Sequence, residues 1–171
     1  GWFYGALLTA LGLLGASVVP FLVGGQAQDP WMLYYYFALI ATVGLGVDTV
    51  KRWAWISGLA LAAPLSASLL LHLAGAGTVD FLISWMWIAA VAVILPERSL
   101  WPRHAGPASI EIFWPVQGKR IYPEFPTRIS AAATCAVGAA ALFVALRSYQ
   151  AEVAIFALVT LVAHSLTLLA N

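Results

Sequence analysis

Six long apolar runs, separated by short polar breaks, leave this chain very few ways to fold. They cover 2–24, 31–50, 53–75, 78–95, 129–147 and 151–170. A helix needs about 20 mainly apolar residues to cross the hydrocarbon core of a bilayer, and each run approaches that length. Only 9% of the residues are charged and 63% are hydrophobic, against about 25% charged in a soluble domain. So few charges cannot clothe a water-facing surface, so the solvent for most of the chain must be lipid. The expected fold class is all-α: a polytopic transmembrane helical bundle of about six spans.

The breaks organise the chain. Residues 25–30 close the first run, Lys51-Arg52 the second, Gly75-Ala76-Gly77 the third and Pro96-Glu97-Arg98 the fourth, while Ser148-Tyr149-Gln150 turns the last two into a helical hairpin. One membrane domain is expected, made of a four-span segment (1–95), a Pro-rich cytoplasmic loop (96–128) and a two-span hairpin (129–171). The loop holds six prolines, too many for a continuous helix. Within it, alternation over 109–114 and a turn at Gln117-Gly118-Lys119 suit either a short interfacial hairpin or an irregular loop held by Phe113, Trp114 and Tyr122.

Charge sets the orientation. Seven of the eight basic residues, Lys51, Arg52, Arg98, Arg103, Lys119, Arg120 and Arg128, follow the second and fourth runs, and only Arg147 lies elsewhere. By the positive-inside rule these seven face the cytoplasm, as do both ends of this segment. Asp29, Asp80, Arg147 and Glu152 then lie near the opposite interface. Trp31, Tyr34, Tyr35 and Tyr36 form an aromatic belt there, and Trp2, Phe3, Tyr4, Trp53 and Trp55 mark the cytoplasmic side. The expected location is a bacterial inner membrane. A net charge of +1 and the lack of a basic, aromatic-laced groove give no reason to expect nucleic acid.

Chemistry-bearing constellations are sparse. Cys135 is the single cysteine, which excludes an internal disulfide and a multi-thiolate metal site. The sequence has no His-Glu-x-x-His, no phosphate-cradling Gly-x-x-x-x-Gly-Lys and no Gly-x-Ser-x-Gly elbow. His104 sits in the polar loop, while His72 and His164 fall at different depths, which argues against a bis-histidine haem. That leaves His164 as the one candidate axial ligand to a haem or chlorophyll, beside its reading as a neutral hydrogen-bonded histidine. Asp48 is the carboxylate nearest to mid-span, and Lys51 and Arg52 are near enough to pair with it. Pro64 interrupts the third run and Pro20 the end of the first. A mid-span proline frees a carbonyl one turn earlier, and Ser66 or Ser68 is expected to help repair that gap.

Packing signals are clearer. Gly5 and Thr9, Gly12 and Ala16, and Ser130, Thr134 and Gly138 recur at four-residue spacing, with Ala132, Ala136 and Ala140 alongside. Small residues at this spacing let helices approach closely, either within the bundle or against another subunit.

The stretch 6–16 followed by Val19-Pro20, the polar turn, Trp31-Met32-Leu33-Tyr34-Tyr35-Tyr36 and Lys51-Arg52-Trp53-Ala54-Trp55 resembles domain-of-unknown-function family 2339, a group of bacterial multispanning membrane proteins. Tyr122-Pro123-Glu124-Phe125-Pro126-Thr127 fits the family more loosely. The resemblance implies an excerpt of a longer chain, in keeping with the Gly1 start and the stop at Asn171, and supplies no catalytic residues. The leading functional expectation is a non-enzymatic accessory or scaffolding subunit that packs against other membrane proteins or the rest of a longer chain. A transporter or channel module with the Pro64 helix as its moving element is the alternative, and a pigment- or haem-binding subunit the third. No cofactor is predicted, and lipids are the expected ligands.

Overall fold

In the computed structural model the described residues are 2–23, 30–51, 53–95, 125–147 and 151–170. They form α1 (Trp2–Leu22), α2 (Trp31–Lys51), α3 (Ala54–Leu73), α4 (Thr78–Ile94), α5 (Phe125–Arg147) and α6 (Ala151–Ala170). The described residues are therefore all-α, as the apolar runs require. α5 starts at Phe125, ahead of the apolar run that opens at Ile129. Pro126 sits in its first turn, where the missing N–H has no intrahelical acceptor to lose. The expected loop therefore gives up its last residues to this helix. The hairpin expected over 109–122 and the turns at 25–29 and 148–150 lie outside the described residues.

Two compact units divide the chain, Gly1–Ile88 and Ala89–Asn171. In the first, α1 turns Ala6, Ala10, Leu13 and Ser17 inward, a 3.6-residue stripe of mostly small side chains. Among the described glycines, the closest approach of a neighbouring helix is at Gly44, between α2 and α3. A Cβ added to Gly44 would lie 2.5 Å from the Ala60 Cβ and 3.0 Å from Leu13, so only glycine fits. In the second unit, α5 buries Ile129, Ala133, Val137, Ala140 and Val144, and α6 buries Ala157 and Thr160. A Cβ added to Gly138 would lie 3.3 Å from the Leu161 side chain of α6.

Many large apolar side chains of α1 and α6 point the other way. Leu8 is 67% exposed and Leu22 77%, and Leu7, Leu11, Leu158 and Leu166 are exposed too. Tyr4–Leu22 and Trp55–Leu73, 19 residues each, are long and apolar enough to cross a membrane, and only 22% and 39% of their apolar windows are buried. The core helix of a soluble protein would bury most of that surface, because each exposed leucine in water forfeits about 1.5–3 kcal/mol. The apolar stretches Trp31–Val47, Thr78–Ile94, Ala131–Arg147 and Ala151–Ala163 are shorter.

The two prolines beyond a first turn, Pro20 and Pro64, are accommodated without a break. Pro20 has no N–H, so the Ala16 carbonyl loses its partner four residues on. The Tyr36 hydroxyl of α2 donates to that carbonyl at 3.1 Å. Pro64 lies within α3, which runs unbroken from Ala54 to Leu73. Ser66 and Ser68 donate to the Ala63 and Leu65 carbonyls instead of mending the gap at Ala60. The expected repair is therefore not made. A helical serine reaches back only three or four residues, and Ala60 is six and eight residues away.

Two stability tests follow. Gly44→Ala should destabilise the protein by about 1–3 kcal/mol through overpacking, and adding Ala60→Gly should recover most of the loss in detergent thermal unfolding. Tyr36→Phe should cost about 1 kcal/mol, the order of an interhelical hydrogen bond in a membrane. In a Pro20→Ala background, where a backbone N–H restored at position 20 serves the same carbonyl, the cost should shrink towards zero.

Candidate interfacial polar and aromatic cluster

The first unit gathers its polar and aromatic side chains where α2 begins, α3 ends and α4 begins. The turn between α3 and α4 sets this geometry. Gly75 takes φ +98°, its N–H donates to His72 O, and the Ala76 N–H donates to Leu71 O. This is a Schellman closure, in which the left-handed residue is almost always glycine. It returns the chain at once into α4, so His72 in the last turn of α3 and Asp80 in the first turn of α4 come to the same end.

Phe81 is the hub. It is fully buried, stacks on His72 with ring centroids 4.4 Å apart, and meets Tyr34 edge-on at 5.9 Å and Trp85 at 4.8 Å. The Trp85 indole N–H donates to Ser68 Oγ at 2.6 Å, and Ser68 in turn donates to Leu65 O. On the opposite side of α4, the Trp87 N–H donates to Thr42 Oγ1 of α2 at 3.1 Å. The two indoles therefore tie α4 to α3 and to α2. Tyr34 is fully buried, and its hydroxyl has no hydrogen-bond partner among the described residues. Tyr35 is exposed, and its hydroxyl donates to Asp80 Oδ1 at 3.0 Å. Trp31 packs edge-on against Tyr35 with centroids 6.0 Å apart.

The sequence reading puts Tyr34, Tyr35 and Asp80 near one interface but does not join them to one another or to His72. Their shared level is legible, since the start of α2, the end of α3 and the start of α4 carry all four. Their pairing depends on α2 lying beside α4, which helix order does not determine.

The other residues singled out from the sequence lie in different places. On α1, a Cβ at Gly5 would meet the Trp53 ring at 3.0 Å, Thr9 donates to Gly5 O, and Ala16 carries the Tyr36 bond. Gly12 faces open space. Thr134 is buried and Gly138 packs on α6, while the side chain of Ser130 lies outside the described residues. The same holds for the side chains of His164, Asp48 and Lys51, and for all of Arg52, Arg98, His104, Arg103, Lys119 and Arg120. Arg128 is exposed on α5, and Arg147 lies over the Phe143 ring at 5.3 Å. Cys135 is an exposed free thiol. Among the described residues, no group of three or more His, Cys, Asp or Glu side chains is placed to hold a metal ion.

The indole tether makes a direct prediction. Trp85→Phe keeps the ring contact with Phe81 and removes the donor. It should cost about 1 kcal/mol in detergent unfolding. Ser68→Ala should cost a similar amount, and the double variant should cost less than the sum.

No curated protein and no solved structure matches the chain. The family model described as "predicted membrane protein (DUF2339)" matches residues 1–171, and with helices that turn their large apolar side chains outward, this chain belongs to the DUF2339 family of membrane proteins.

Proposed function

We propose that this chain is a non-catalytic accessory or scaffolding module whose outward helix faces receive helices of other membrane subunits. The observation that supports this reading is on α1. Gly12 and Gly15 are both exposed, and a Cβ on either would meet nothing within 4 Å. Leu8, Leu11 and Val19 flank them and are exposed as well. Elsewhere the fold uses glycine for close approach, as Gly44 does against Ala60. Glycines left open on an apolar helix suit a second backbone approaching from outside, because association in lipid depends on close van der Waals contact. A leucine in their place would cover the helix just as well against lipid tails.

In this reading the module sits in a bacterial inner membrane. Lys51, Arg52 and the basic loop lie on the cytoplasmic side together with both ends of the segment, as the charge asymmetry favours. The reading calls for neighbouring membrane subunits or further spans, for lipid, and for no catalytic group or cofactor.

Mass measurement in mild detergent tests it. The native membrane assembly should run well above the 18.2 kDa of this chain. A Gly12→Leu, Gly15→Leu double variant should release the chain as a monomer with an unchanged unfolding temperature. A wild-type chain that is already a lone monomer would sink the proposal, and so would an assembly indifferent to both leucines.

A further inference from the structure

The exposed edge of the cluster around Phe81 carries a carboxylate bonded to Tyr35, itself paired edge-on with Trp31. Asp80 Oδ1 accepts the Tyr35 hydroxyl, and among the described residues Oδ2 accepts no hydrogen bond. Gly77 keeps the space beside Oδ2 free, since a Cβ there would lie 3.3 Å from that oxygen. Tyr35 and Trp31, 41% and 43% exposed, continue from the carboxylate along one face of α2. Lys51 closes α2 at its other end, its backbone roughly 24 Å from Tyr35 by helix rise. The nearby histidine, His72, is engaged in its stack on Phe81. Among the described residues of this unit, no lysine or arginine side chain pairs with this carboxylate at the mouth of the apolar helix cluster.

The chemistry selects its counter-ion. Calcium needs six to eight oxygen ligands, and magnesium a near-ideal octahedron. One carboxylate and one phenol fall far short of either. An ammonium group needs only an acceptor oxygen and is also attracted to the faces of Trp and Tyr rings. Trp31 and Tyr35 open a helix at its end, where interfacial aromatics sit at the level of lipid headgroups. We propose that Asp80, Tyr35 and Trp31 form a binding site for a primary ammonium group, with Oδ2 as the acceptor and the indole and phenol rings as its walls. A membrane supplies that group as the ethanolamine headgroup of a phospholipid, and solution supplies it as a free amine.

Native mass spectrometry of the full chain, released from mild detergent with matched phosphatidylethanolamine and phosphatidylglycerol, tests the site. The chain should retain phosphatidylethanolamine preferentially. Asp80→Asn, which keeps an acceptor for Tyr35 but loses the charge, should weaken that binding on the order of tenfold and leave phosphatidylglycerol unaffected. Trp31→Leu should weaken it roughly two- to fivefold. Tyr35→Phe, which frees Oδ1 and keeps the ring, should bind as well or better. Gly77→Ala, in the turn, should weaken binding by crowding Oδ2, and it provides an independent variant should Asp80→Asn fail to fold. Displacement of the bound lipid by ethanolammonium chloride would assign recognition to the ammonium alone. Charge-dependent binding that free ethanolammonium does not displace would assign it to the lipid headgroup. Equal retention of the two lipids, or phosphatidylethanolamine binding indifferent to Asp80→Asn and Gly77→Ala, would overturn the proposal.

Discussion

Hydrocarbon offers no hydrogen bonds, and most of this molecule follows from that. Each backbone N–H and C=O inside a bilayer must find its partner within the protein, at several kcal/mol for a group left bare. Helices meet that demand along their length, so interruptions and side-chain polar groups are where it shows. Thr9, Ser17, Thr42, Thr160 and Ser165 all fold their hydroxyls back onto the carbonyl four residues earlier. Ser66, Ser68 and Ser84 do so at three residues. Where Pro20 breaks the ladder, a tyrosine from the next helix supplies the missing donor. The polar residues of the spans are therefore mostly occupied with the backbone and with one another.

On α1 the same solvent reverses the usual distribution of size. In water a helix buries its leucines; here α1 turns alanines, Leu13 and a serine inward and most of its leucines outward. Lipid tails are as apolar as leucine, so burying leucine gains little, and close backbone approach gains dispersion contact instead. Gly44 against Ala60 and Gly138 against Leu161 are the points where this preference for small side chains is most visible. Aromatic side chains then do the work that requires reach. Tyr36, Trp85 and Trp87 each span the gap to a neighbouring helix with a rigid ring and a single donor at its tip.

Much of the architecture was legible from the sequence, because the length of an apolar run and the polar residues that end it are local quantities. The run ends fall within a few residues of the helix ends, and Gly75 marks the turn that its backbone angle requires. Pro126 misled, since a proline reads as a breaker unless it is recognised as part of a first turn. Contacts were harder. Four-residue spacing of small residues picks out Gly5 and Gly138 but not Gly44, because close approach is decided at one crossing point and not along a stripe. Tyr36 read as an interfacial anchor, and its bond to Ala16 depends on α1 and α2 being neighbours as well as on Pro20. The link from Tyr35 to Asp80 was out of reach for the same reason: the sequence placed both at one level but not side by side.

The account rests on the outward faces of these helices meeting lipid. Spin labels at Leu8, Leu11 and Leu158, introduced one at a time in a Cys135→Ala chain purified and reconstituted in bilayers without partner subunits, measure this directly. All three should collide freely with oxygen, which concentrates in hydrocarbon, and be shielded from a water-soluble nickel chelate, while a label at exposed Glu152 at the start of α6 should show the reverse. Ready access of the chelate to Leu8 and Leu11 would mean that these leucines face water, and the membrane-spanning reading would fail.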